Sequence, residues 1–124
     1  MALHVLIVED EPLIALDLAG IVEHAGHVVA GMASDLRQAM AVADAGGVDL
    51  AFLDVNLARQ PDGVEVCHKL REAHDIPSIF VSASITDDVR RRAAACNPIG
   101  FVSKPFLERD VVRPLQHYAA TIDT

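Results

Sequence analysis

The chain has 124 residues, enough for one domain with its own core. Apolar residues make up 52% and aromatics only 4%, with no Trp, so that core must be built from Val, Ile, Leu and Ala. A net charge of -8 disfavours holding nucleic acid through its phosphates, and no apolar run approaches the ~18–20 residues of a membrane span.

Leu3 to Val8 is almost entirely apolar and reads as a strand buried on both faces. No basic flank or small-residue cleavage site precedes it, which predicts a cytoplasmic protein. The strand ends in Glu9-Asp10-Glu11. Pro12 then opens a helix whose apolar face carries Leu13, Ile14, Leu16, Leu18, Ile21 and Val22, and Gly26 stops it as a left-handed cap. Val28 to Met32 is a second strand. Ser34 is expected to cap a second helix carrying Leu36, Ala39, Met40 and Ala43, which Gly46-Gly47 end.

Leu50-Ala51-Phe52-Leu53 is a third buried strand, broken off by Asp54. The loop that follows runs to Asp62-Gly63-Val64-Glu65, a capping-box pattern opening a helix that packs through Val66, Cys67 and Leu70. Ser78 to Val81 is a fourth strand, ending in Ser82-Ala83-Ser84. Thr86 caps a fourth helix, from about Asp87 to Cys96, whose Arg90-Arg91-Arg92 run reads as a solvated face rather than a docking patch. Ile99 to Ser103 is a fifth strand, followed by Lys104-Pro105-Phe106. The last helix carries Leu107, Val111, Leu115 and Tyr118, and Pro114 predicts a kink or a separate first turn. Cys67 and Cys96 lack metal-ligand spacing and are expected to be buried and reduced. His24 and His27 lack the partners of a zinc site.

Strict alternation of strands and helices predicts an α/β, doubly wound parallel sheet of the flavodoxin-like type, five-stranded in the order 2-1-3-4-5. With no linker or repeat, residues 1–124 are expected to form one domain without an appended output domain. In such sheets ligands sit outside the carboxyl ends of the strands. Those ends carry Glu9 and Asp10, then Asp54, Ser82 and Lys104. Clustered carboxylates repel one another and persist where a cation offsets them; an all-oxygen set suits Mg²⁺. Asp54 would then be a carboxylate nucleophile toward phosphorus, with Lys104 and the Ser82 hydroxyl binding the transferred oxygens.

The motifs Val8-Glu9-Asp10-Glu11-Pro12, Phe52-Leu53-Asp54, Asp62-Gly63, Val81-Ser82-Ala83 and Lys104-Pro105-Phe106 come in order over about residues 3–118. In them the chain resembles a response-regulator receiver domain, the phosphate-accepting module of two-component signalling. The resemblance implies that Asp54 is phosphorylated and that Glu9 and Asp10 hold Mg²⁺, Asp10 directly, with Asp54 and the Asn56 carbonyl. It also implies that Lys104 pairs with the phosphoryl group, that Ser82 is the switch hydroxyl, and that Phe101 turns inward when Ser82 moves. Positions 56 and 84 would tune the phosphoryl lifetime. The phosphoryl group would come from a histidine kinase or histidine phosphotransfer protein. The fourth helix, fifth strand and last helix would present an output face to a partner protein or to a second copy as a homodimer.

Such a domain is a phosphoacceptor rather than an enzyme. An Mg²⁺-dependent phosphatase with an aspartyl nucleophile is the alternative, but such enzymes carry a second Asp where this chain has Asn56. A flavin carrier of the same fold would need a phosphate loop where Glu9-Asp10-Glu11 stand. A receiver that works without phosphorylation is disfavoured by the complete acidic set.

Overall fold

The computed structural model describes residues 2–122. The strands are β1 (His4–Val8), β2 (Val28–Ala33), β3 (Leu50–Leu53), β4 (Ser78–Ser82) and β5 (Gly100–Ser103). The helices are α1 (Pro12–His24), α2 (Leu36–Asp44), α3 (Gly63–His74), α4 (Asp87–Ala93) and α5 (Glu108–Ile122), with a 3-10 turn at Ala94–Cys96. The strands pair in parallel in the order β2-β1-β3-β4-β5, as the alternation predicts.

The unbroken apolar runs are explained by two cores, one on each face. Leu6, Val8, Ala51, Leu53 and Phe80 join Ala39 and Ala43 of α2, Val64, Cys67 and Leu70 of α3, and Val89 and Ala93 of α4. Val5, Ile7, Leu50, Phe52, Ile79 and Val81 face the other way, onto Leu18, Ile21 and Val22 of α1 and Val111 and Leu115 of α5. Side chains alternate across a strand, so a run apolar at every position is what two covered faces require.

Several local expectations are revised. The cap of α2 is Asp35, not Ser34: the Asp35 carboxylate accepts the Gln38 N–H at 2.9 Å, while the Ser34 N–H donates to Gln38 Oε1 at 2.7 Å. An ionised carboxylate one residue on reaches the free amide of the first turn, and Ser34 is left outside it. Asp35→Ala should therefore cost about 1 kcal/mol and Ser34→Ala under about 0.5 kcal/mol, read from urea unfolding midpoints. The fourth helix is shorter than expected, with the 3-10 turn completing its span to Cys96.

Pro114 lies inside α5, and the helix is a single element from Glu108 to Ile122 rather than one with a detached first turn. Burial of Val111, Leu115 and Ala119 against the sheet outweighs the hydrogen bond that proline forfeits. Leu107, expected on the packed face, precedes the helix and is exposed.

The cysteines are buried as expected but not reduced: Cys67 and Cys96 form a disulfide, their Cα atoms 6.2 Å apart. The fold brings α3 against the turn after α4, a proximity their sequence separation of 29 does not reveal. No helix among the described residues is long and apolar enough to cross a membrane.

Candidate functional site

The last backbone bonds of the sheet carry the chain directly into the site. The Glu9 N–H donates to the Ala33 carbonyl at 2.9 Å, Asp54 N–H to Val8 at 3.0 Å, and Lys104 N–H to Ser82 at 3.0 Å. Each of these residues is thus fixed by the ladder on its backbone and free to project its side chain beyond it. The order β2-β1-β3-β4-β5 puts Glu9 and Asp10 beside Asp54, across a cleft of about 420 Å³. Asp10, Glu11, Asp54, Asn56, Leu57, Ala58, Ala83 and Lys104 line it.

Lys104 is the centre of the charge arrangement. Its Nζ donates to Glu9 Oε1 at 2.6 Å and to Asp54 Oδ2 at 3.0 Å. All three side chains are largely withdrawn from water, at 13%, 1% and 7% exposure for Lys104, Glu9 and Asp54. Burial pushes the Glu9 carboxyl up to about 7; the hydrogen bond from Lys104 opposes the rise and the Asp54 charge adds to it. Burial pulls the Lys104 ammonium down, but its hydrogen bonds to Glu9 and Asp54 outweigh that and hold it above its ordinary value.

A native carboxyl raised this way keeps a proton that the unfolded chain has already released. Stability therefore falls as pH rises from about 4.5 to about 7 through this group. Thermal melts in metal-free buffer should show that fall, and Glu9→Gln should flatten it.

One oxygen from each of Glu9, Asp10 and Asp54 lies within 4.8 Å of the others, a cluster of hard donors that fits a divalent cation such as Mg²⁺. The Asp10 carboxylate also accepts the Ala58 N–H at 2.6 Å, and Asp54 Oδ1 accepts the Asn56 N–H at 3.2 Å. The long loop after β3 thus folds back onto the acidic pair. The Asn56 amide donates to Ser84 Oγ at 2.5 Å, which joins the two loops that flank the cleft.

Ser82 is fully buried at the end of β4 and is not among the cleft's lining residues; its hydroxyl accepts the Ser84 N–H at 3.1 Å. Phe101 stands apart from the cleft. It pairs with Phe80 in the sheet and stacks on it, centroids 5.4 Å apart and planes 12° from parallel. The Arg90 guanidinium lies over the Phe101 ring, 4.6 Å from its centre. The arginine run is exposed, as expected of a solvated face, and is also paired within the chain: Arg91 with Asp88 at 3.1 Å and Arg92 with Asp62 at 2.9 Å. Sequence reasoning missed these contacts and the Ala58 amide, for which a run of cations and a small residue give no signal.

The response regulator receiver domain model matches residues 5–116. The chain belongs to that family. The receiver is 30% identical over 112 residues to the transcriptional regulatory protein PdtaR of Mycobacterium tuberculosis, covering 90% of this chain and 54% of that protein. It is 38% identical over 84 residues to the phyllosphere-induced regulator PhyR of Methylorubrum extorquens, covering 67% of this chain and 32% of PhyR. The chain thus spans about half, or less, of the length of these relatives. The signal receiver domain of a modulated diguanylate cyclase from Desulfovibrio desulfuricans superimposes with a TM-score of 0.88 at 28% identity, over 100% of both chains. A CheY-like receiver from Methanospirillum hungatei, at 19% identity and a TM-score of 0.89 over 99% and 98% of the two chains, shares the fold.

Proposed function

We propose that this receiver accepts a phosphoryl group on Asp54 in an Mg²⁺-dependent reaction. The reading is carried by the convergence of Asp54, Lys104 and the acidic pair at the ends of three strands. Asp54 is the nucleophile: one of its carboxylate oxygens bonds to phosphorus as the bond to the donor's leaving group breaks, and that group departs with the electron pair. Lys104 turns from its carboxylate partners toward the new phosphoryl oxygens and offsets their charge. Asp10, Glu9, Asp54 and the Asn56 carbonyl are the groups that would hold the cation. When bound, it neutralises charge on the phosphoryl oxygens and on the acidic cluster.

Ser82 is the switch hydroxyl in this reading. Moving toward the phosphoryl group, it gives up the Ser84 N–H, and Phe101 leaves Arg90 for an inward position. The face of α4, β5 and α5 then changes for an output protein or a second copy. The donor is a histidine kinase or histidine phosphotransfer protein. The phosphatase alternative lacks its acid/base: the Asn56 amide does not transfer a proton as a carboxyl would, and it is engaged with Ser84.

Incubation with Mg²⁺ and acetyl phosphate or phosphoramidate, followed by intact-mass measurement, tests the proposal. One labile phosphoryl group is expected, none on Asp54→Asn, and none in chelator. Continuous turnover of a phosphomonoester would instead establish the phosphatase, and a phosphoryl group retained by Asp54→Asn would move the site elsewhere.

A further inference from the structure

Cys67 lies on the buried side of α3, and Cys96 ends the 3-10 turn that follows α4; both are withdrawn from water. The bond between them is the centre of a larger attachment of α4 to α3. His68 Nε2 meets the Arg92 carbonyl at 2.9 Å. Arg71 donates through Nε to the Cys96 carbonyl and through Nη2 to the Asn97 carbonyl, both at 3.0 Å. The carbonyls that a helix end leaves unpaired are thus satisfied by side chains of the neighbouring helix. On its other side α4 touches β5 through Arg90 and Phe101. One short helix thus carries both the contacts to α3 and the contact to the aromatic of β5.

The segment carrying Cys96 lies at the surface, although Cys96 itself is buried. Ala94, Ala95 and Asn97 are exposed, Asn97 is left-handed at φ 48°, and Pro98 brings no N–H. Between α4 and β5 the backbone makes the Asn97 N–H bond to Ala94 at 3.1 Å and the Ile99 N–H bond to Ser78 at 2.8 Å, besides the two carbonyls that Arg71 holds. Cys96 belongs to this turn and not to a strand, so a local opening of the turn is the event that would expose its sulfur.

We propose that Cys67 and Cys96 are a reversible oxidation site, a second input to α4, whose co-reactant is a low-molecular-weight disulfide. In the open turn the Cys96 thiolate attacks one sulfur of the oxidant, forming a mixed disulfide and releasing one small thiolate. As the turn closes, the Cys67 thiolate attacks the Cys96 sulfur and expels the second. Two thiol protons are released, two electrons pass to the oxidant, and the reverse sequence with two small thiols reduces the pair. Oxidised, α4 is bonded to α3; reduced, the covalent tie is gone, and the packing of Val89 and Ala93 on α3, the polar contacts of His68 and Arg71 and the Arg92–Asp62 pair remain. The consequence for output rests on the reading of α4 and β5 as the signalling face; the redox transition itself does not.

The test holds the whole chain in buffers spanning reduced to oxidised glutathione, then alkylates and weighs it. Hydrogen exchange over residues 87–103 is followed in parallel. Expected is a reversible passage between no alkylatable thiol and two, with exchange over residues 87–97 about tenfold faster in the reduced form and β1–β3 unchanged. The Cys67→Ala/Cys96→Ala pair should show the fast exchange in every buffer; should it fail to fold, the wild-type titration alone decides. Two free thiols even in oxidised glutathione would overturn the proposal. So would a bond that native protein never releases to reduced glutathione, or a reversible bond with no change in exchange. Asp54→Asn should titrate as wild type, so failure of phosphoryl transfer and failure of the redox site are read separately.

Discussion

Replacing Lys104 with methionine should slow phosphoryl uptake at Asp54 by about 10²- to 10³-fold, the scale at which removing one preorganised charge from a transition state is felt. Methionine keeps an unbranched apolar stem and deletes the ammonium that now bridges Glu9 and Asp54. Two effects follow from that deletion, and they separate by pH. The first is kinetic: the developing charge on the phosphoryl oxygens loses its nearest cation at any pH. The second is thermodynamic. The Glu9 and Asp54 side chains, 1% and 7% exposed, are left facing each other with no cation between them.

The Glu9 carboxyl, at about 7 with Lys104 opposing the rise, must then move higher. The native variant retains a proton that the unfolded chain surrenders above pH 4.5, so its stability drops as pH rises through and beyond that window. At pH 5 the loss should be small, because Glu9 is already protonated in the native state; at pH 8 it should reach about 1–3 kcal/mol. Urea unfolding at the two pH values in metal-free buffer, alongside initial rates of phosphorylation, measures both. An equal destabilisation at pH 5 and pH 8 would mean that the lysine acts by packing rather than by charge.

The sheet and the cluster at its edge were legible because both depend on patterns within a few residues. An apolar run of four to six ending in a carboxylate or lysine marks a buried strand and its functional end, and alternation of elements supplies the strand order. That is why Glu9, Asp10, Asp54 and Lys104 could be gathered from sequence. What stayed hidden involves contacts that the tertiary fold creates between chemically ordinary groups. The Ala58 amide on Asp10 and the Asn56 amide on Ser84 join loops far apart along the chain, and Arg90 over Phe101 joins a helix to the strand after it. The Cys67–Cys96 bond belongs to the same class: no spacing rule links them, and burial alone favours reduced thiols. Asp35 displaced Ser34 as a cap for a local reason, because two adjacent capping residues compete and sequence does not say which enters the first turn.

Gly63→Ala should be strongly destabilising, at about 3 kcal/mol or more. A Cβ at position 63 would stand 1.8 Å from the Asp54 carbonyl oxygen, 2.7 Å from its carbon and 2.9 Å from Val55 Cα. All three are backbone atoms, so no rotamer change relieves the collision. The Gly63 N–H also donates to the Val55 carbonyl at 2.8 Å, which pins the first turn of α3 against the end of β3. Relief therefore requires α3 to back away, and that motion pulls on Asp62, which caps α3 and pairs with Arg92 of α4. Asp54 sits on the other side of the same contact, so phosphoryl uptake should fall with stability rather than after it.

Gly20→Ala supplies the opposite sign: position 20 is an exposed site inside α1 with nothing within 4 Å of an added Cβ. There the methyl group should stabilise by about 0.5–1 kcal/mol, because alanine surrenders less backbone entropy to the helix. Denaturant midpoints of the two variants, with phosphorylation rates measured where each is fully folded, distinguish a steric role for Gly63 from a generic intolerance of substitution. A Gly63→Ala protein with native stability and native uptake would mean that the end of β3 and the start of α3 do not approach as closely as this geometry requires.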